Sequence, residues 1–168
     1  MFWKKSVNKN FREKLEEHIK LREGYKETVY LDTLNKPTVG TGHLLTIKER
    51  KKYPVGTKVD SKILEKWLRQ DLESALSSCN DQCMALKIYD TDFKISLTSV
   101  NFQLGSNWYK KFPKTWKALS DKDYDSAIAE ITYKIPGEPE YSDWYKQTPT
   151  RVKDFSTAIE KIKGEYNG

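Results

Sequence analysis

Residues 22–45 read REGYKETVYLDTLNKPTVGTGHLL. The stretch opens on Glu23, at the end of a run with helical spacing. In that run Asn10 and Glu13 make a capping-box-like start, and Phe11, Leu15 and Ile19 share one face. Gly24 follows and suits the left-handed conformation that ends helices. A helix over 10–23 is therefore expected, with Glu23 in its last turn. TVYLDT is β-branched and aromatic, LNK has turn chemistry, and PTVGTGHLL is strand-like again, so two strands joined by a short turn are expected. The glycines of VGTG allow tight bends or the close approach of another part of the chain.

Beyond this stretch, residues 46–59 carry KERKK and YPVG and read as a charged, partly irregular connection. From Asp60 the pattern changes. Ile63, Leu64, Trp67, Leu68, Leu72, Ala75, Leu76 and Cys79 recur at three- and four-residue steps, predicting an amphipathic helix of about 20 residues that links two lobes. Asp90 or Thr91 can cap a helix running to Gly105, and Pro113 can begin a short one. Residues 121–134 are again helical, IPGEPEYSD is a loop, and Thr148-Pro149 starts a last helix. The fold class is α+β: a small β-hairpin region near the N-terminus in an otherwise helical chain.

Composition removes several function classes. Five Trp, ten Tyr and six Phe in 168 residues give too much ring surface for a disordered chain. No apolar run approaches the roughly 20 residues that span a bilayer, so no stable membrane insertion is expected. MFWKKSVNKNF is basic without an apolar segment behind it, which argues against a secretory signal and for synthesis in the cytoplasm. The formal charge is +6, which attracts polyanions. Only KERKK is a tight basic cluster, no nucleic-acid motif stands out, and there is no metal-ligand spacing. Cys79 and Cys83 are expected to be buried or half-buried thiols in a reducing compartment.

Glu23 and Asp32 differ in setting. The carbonyls at a helix C-terminus disfavour a carboxylate, so Glu23 suits a general acid. Asp32, in a polar turn, suits the ionised partner, and Thr38 offers a hydroxyl that can hold a water. Two carboxyls in unlike environments are what glycoside hydrolysis requires. Their spacing alone does not establish it.

The ordered blocks add more. Glu23, Asp32, Thr38 and the run Val39-Gly-Thr-Gly-His-Leu-Leu45 resemble the catalytic segment of bacteriophage lysozymes, the endolysins of glycoside hydrolase family 24, in particular the T-even coliphage type. NFQLG (101–105) resembles the family's Phe-Gln-x-Gly helix end, and DWYKQTPTR (143–151) its Trp-Tyr-x-Gln-Thr-Pro-x-Arg segment. The resemblance covers roughly residues 10–165. It implies a single lysozyme-like domain over 1–168: a small lobe over about 10–60, a linking helix over about 60–80, a helical lobe over about 81–168, and a cleft between the lobes.

The implied activity is that of an inverting muramidase. It cuts the β-1,4 bond between N-acetylmuramic acid and N-acetylglucosamine in peptidoglycan, and it lyses the host from the cytoplasm once a pore opens. Glu23 is then the general acid, with Asp32 and Thr38 holding the water. Leu44, Phe102, Thr115 and Arg151 line the saccharide site, and Arg151 also orients Glu23. His43 paired with Asp71 is structural support. No cofactor or metal is implied, and glycan strands of peptidoglycan are the partner of an expected monomer. Two departures stand out: LNKP lacks the family's glycine and aromatic, and IPGEPEYSD is longer than the family pattern. A non-catalytic wall binder and a basic nucleic-acid binder are the competing classes. The complete Glu23, Asp32, Thr38 set argues against the first, and the scatter of basic residues against the second.

Overall fold

The computed structural model describes residues 2–166, with side chains over 10–165. The chain divides into two compact units, Met1–Ser74 and Ala75–Gly168.

The first unit begins with α1 (Phe2–Glu23). This helix starts well before Asn10, so the Asn10–Glu13 signature lies inside it. Residues 2–10 contain neither proline nor glycine to stop a helix from extending. Leu15 and Ile19 are fully buried, as their spacing requires. Gly24 has φ 71° and donates its N–H to the Lys20 carbonyl at 3.1 Å, which ends the helix immediately after Glu23.

Three antiparallel strands follow: β1 (Lys26–Leu31), β2 (Pro37–Gly40) and β3 (His43–Leu44), in the order β1-β2-β3. The expected second strand is therefore two, broken at Thr41-Gly42. Tyr30 pairs with Thr38, Thr38 with Leu44, and Val39 with His43, with a register irregularity between Lys26 and Tyr30. Alternation of side chains across the pleat then gives the sheet two distinct faces. One carries Val29, Val39 and His43. The other carries Tyr30, Thr38 and Leu44.

The first face builds the unit's core, in which Val29, Val39, Leu45, Val59, Leu64 and Trp67 pack together. The connection after β3 is more regular than its charge suggests. It contains α2 (Ile47–Lys52), opened by a capping box between Thr46 and Glu49.

The boundary between the units falls within α3 (Ser61–Leu86), which extends beyond the expected end near residue 80. Cys83 and Leu86 continue its buried stripe through the polar run NDQ. Lys87, at φ 56°, and a hydrogen bond from Lys122 Nζ to the Leu86 carbonyl close the helix.

The second unit is helical: α4 (Thr91–Leu104), α5 (Trp108–Lys111), α6 (Pro113–Ser120), α7 (Tyr124–Thr132), α8 (Asp143–Gln147) and α9 (Pro149–Tyr166). Asp90 caps α4 through the Phe93 N–H, Gly105 ends it, and Pro113 opens α6, as expected. The short helices α5 and α8 were not anticipated. The core is centred on Phe93, Leu97, Trp108, Leu119, Ile131 and Phe155.

A buried amide network crosses this core. Gln82 and Asn101 exchange two 2.8 Å hydrogen bonds, and the Trp108 indole N–H donates to Gln82 Oε1 at 3.1 Å. Each buried polar group thereby keeps a partner, without which burial would cost about 1–3 kcal/mol apiece. Cys79 and Cys83 are buried free thiols with their sulfurs 3.8 Å apart.

Candidate active site

Two elements of the first unit present the carboxyls, the end of α1 and the β1–β2 turn. The end of α1 holds Glu23, half-buried. A Cβ built on Gly42, in the β2–β3 turn, falls 3.0 Å from Glu23 Oε2 and 3.7 Å from Glu23 Cβ. The turn backbone thus lies flat along the acid's side chain. Gly42 also has φ 69°, a conformation that a residue with a Cβ adopts only at a cost.

Asp32 sits at the β1–β2 turn. Its Oδ1 accepts the N–H groups of Leu34 at 2.8 Å and Lys36 at 2.9 Å, while its backbone carbonyl accepts from Asn35. One carboxylate oxygen is therefore committed to shaping the turn, and this fixes where the other points. Thr38 is 4% exposed, and its hydroxyl donates to the Lys36 carbonyl at 3.0 Å. Both oxygen lone pairs of Thr38 remain available as acceptors. Leu44, across the strand pair from Thr38, is 49% exposed on the same face.

His43 belongs to the opposite face. Its Nδ1 lies 2.7 Å from Asp71 Oδ2, its Nε2 lies 3.1 Å from both Glu49 oxygens, and its ring stacks on Trp67 with 4.5 Å between centroids. Burial alone would push its pKa down. The hydrogen bonds and charges of Asp71 and Glu49 outweigh that and raise it above the ordinary imidazole value. Glu49 shows the mirror effect. Burial pushes it up, but hydrogen bonds from the Thr46 backbone and from His43 take it below the ordinary carboxylate value.

In the second unit, Arg151 is buried in the first turn of α9 and donates from Nε to Ser99 Oγ at 3.1 Å. Ser99 and Phe102 are three residues apart, on one side of α4. Phe102 is half-buried. Thr115, on α6, is 1% exposed and offers almost no surface. The NFQLG and DWYKQTPTR segments are joined directly: Gln103 Oε1 accepts the Trp144 indole N–H at 3.1 Å, and Gln103 Nε2 donates to Thr148 Oγ1 at 3.3 Å. Trp144 is core, 5% exposed.

The phage lysozyme family model matches residues 20–137. This chain belongs to the phage lysozyme family. The matched span contains both carboxyls, Thr38, the whole three-stranded sheet and α3 through α7. Two lysozymes of the T4 type from Dictyostelium discoideum, "Probable T4-type lysozyme 2" and "Probable T4-type lysozyme 1", are 26% and 28% identical to it. Each match covers 87% of this chain and 93% of the relative. The "Peptidoglycan hydrolase gp36" of Pseudomonas phage phiKMV is 26% identical over 79% of this chain, which corresponds to 14% of that much longer protein.

As a phage lysozyme, the chain is a glycoside hydrolase with the family's α+β fold. Within that fold, three contributors escaped the sequence reading. Glu49 belongs to a Thr-x-x-Glu capping signature that was legible but hidden in the basic run. Gly42 was legible as a bend, but what its backbone touches was not. Tyr30 was invisible until the strand register placed it opposite Thr38. Among the described residues, no group of three or more His, Cys, Asp or Glu is arranged to hold a metal, and no helix is long and apolar enough to cross a membrane.

Proposed function

We propose that this phage lysozyme is an endolysin cutting the β-1,4 bond between N-acetylmuramic acid and N-acetylglucosamine in peptidoglycan, with inversion at the anomeric carbon. One observation carries the reading. Within the first unit, an acid at a helix end lies against a glycine turn, an aspartate is held by backbone N–H groups of a hairpin turn, and a buried threonine hydroxyl donates to a backbone carbonyl. Glu23 gives its proton to the glycosidic oxygen as the bond to C1 breaks. A water held by Asp32 and Thr38 adds to C1 from the opposite face and passes its proton to Asp32.

Leu44, Phe102 and Arg151 are the proposed saccharide contacts. Thr115, buried on α6, is proposed to support the saccharide site from within the second unit. His43, on the core face of the sheet and clamped by Asp71, is proposed as structural support. The name of the phiKMV relative favours peptidoglycan as substrate. The protein would be made in the cytoplasm, act as a monomer, and reach the wall after the membrane is permeabilised.

The test is clearing of purified walls by the wild type and by Glu23→Gln, both folded by circular dichroism, with the anomer of the first product read by proton NMR. Clearing by the wild type, its loss in Glu23→Gln and an α-anomeric first product are expected. Clearing by Glu23→Gln at the wild-type rate would remove the mechanism.

A further inference from the structure

The face of the sheet that carries Thr38 and Leu44 carries one more side chain at its centre. Tyr30 is the direct cross-strand partner of Thr38, and Thr38 in turn is the partner of Leu44. Directly paired residues hold their Cβ atoms about 4.5–5.5 Å apart on one face. Asp32 follows Tyr30 by two positions and so lies on the same side of the chain. Tyr30 therefore sits beside two residues to which the reaction is assigned, Asp32 and Thr38, and one proposed saccharide contact, Leu44.

Its ring is half-buried, and one face is covered by Lys26, whose Nζ lies 4.2 Å from the ring centroid. That face is closed to a sugar, which leaves the hydroxyl-bearing edge. Among the described residues, none hydrogen-bonds this hydroxyl. Burial, then the negative charges of Asp32 and Glu23, hold the phenol above its ordinary pKa. The group is a neutral O–H donor at any pH at which the enzyme would work, and it lies within the electrostatic reach of both carboxyls.

We propose that Tyr30 is a saccharide-contacting residue, whose hydroxyl donates a hydrogen bond to an oxygen of the sugar lying over Thr38 and Leu44. The proposal rests on the muramidase reading and adds a contact to it. A half-buried donor with no protein partner gains a partner only when the glycan is present, so its contribution appears in binding. An ordinary packing tyrosine would show no such dependence, because replacing it by phenylalanine keeps the ring and its contacts.

The test is Tyr30→Phe, which removes one oxygen, made in the Glu23→Gln background so that fragments bind without being cut. Soluble glycan fragments released from peptidoglycan are titrated calorimetrically into Glu23→Gln and into the double variant, after equal melting temperatures are confirmed. A roughly five- to tenfold weaker Kd in the double variant is expected, the size of one lost hydrogen bond. In the otherwise wild-type enzyme the same change should raise KM and leave kcat nearly unchanged.

Equal Kd values in the two variants would overturn the proposal. Wall clearing by the wild type, measured alongside, separates the two readings. Clearing with equal Kd values removes Tyr30 alone, whereas absence of clearing removes the muramidase reading and this contact with it.

Discussion

At the scale of single residues, two glycines separate catalysis from stability. Gly40 and Gly42 share nearly the same left-handed backbone, with φ 65° and 69°. A Cβ on Gly40 would meet Leu64 Cδ2 at 3.1 Å, and one on Gly42 would meet Glu23 Oε2 at 3.0 Å. Alanine at either position incurs about 1–2 kcal/mol of backbone strain. The remaining difference is what the methyl displaces. Gly40→Ala pushes on a core leucine and should show mainly as a lower melting temperature. Gly42→Ala pushes on Glu23, the proposed general acid, and should lose about tenfold to a hundredfold in wall clearing, with a melting temperature no lower than that of Gly40→Ala. Wild-type clearing by Gly42→Ala would show that the close approach does not position Glu23. The glycines themselves were legible in VGTG as sites of a bend or close approach. Their neighbours were not, because Leu64 and Glu23 arrive from other elements by packing that no local pattern encodes. Tyr30 follows the same rule: a register irregularity between Lys26 and Tyr30 decides which residues face Thr38, and the sequence does not announce it.

At the scale of elements, His43 ties β3, α2 and α3 together. Only a protonated imidazole can donate from both ring nitrogens, here to Asp71 on one side and Glu49 on the other. Because the folded value of His43 is raised, its contribution is complete below the ordinary imidazole pKa of about 6.5 and is lost as pH rises through the raised value. The folded value of Glu49 is lowered. Its contribution is present above the ordinary carboxylate value of about 4.3 and is lost as pH falls through the lowered one. The clamp is therefore strongest in the mildly acidic window between those two ordinary values. His43→Gln should cost more melting temperature near about pH 5.5 than near about pH 9, followed by thermal denaturation of both proteins in matched buffers. A gap of equal size at the two pH values would mean that packing on Trp67, and not the ion pairs, is what the histidine supplies. The elements themselves were largely readable. The spacing of Leu64 through Cys79 gave α3, and Asp90, Gly105 and Pro113 gave the bounds of their helices. The misses share a cause. α3 runs on to Leu86 because Gln82 is buried only by virtue of Asn101 and Trp108, partners that lie 19 and 26 residues away. The start of α1 was misplaced because a capping signature is a permission, and nothing upstream of Asn10 enforces a stop.

At the scale of the whole molecule, the positive charge is not shared. Met1–Ser74 contains seventeen basic and eleven acidic side chains, whereas Ala75–Gly168 contains thirteen of each. The entire excess of +6 belongs to the unit that carries Glu23, Asp32 and Thr38. Its densest part is α2, which has no buried residue and whose last turn holds Arg50, Lys51 and Lys52. Arg50 is committed to the Leu45 carbonyl at 3.1 Å, so Lys48 and Lys51 are the exposed charges that can be changed without touching the fold. An anionic wall polymer would be drawn to this unit by long-range attraction, which exposed charges exert over a distance of about 10 Å at 0.1 M salt and which further salt screens. Lys48→Glu with Lys51→Glu moves the net charge of the unit by four. The double variant should clear walls several-fold more slowly than the wild type at low ionic strength. The two rates should converge as salt is raised, because the wild type loses the attraction that the variant never had. Clearing rates measured across a salt series decide it. A deficit that persists unchanged at high salt would mean that the two lysines touch the substrate directly, and identical rates at low salt would mean that the uneven charge plays no part in reaching the wall.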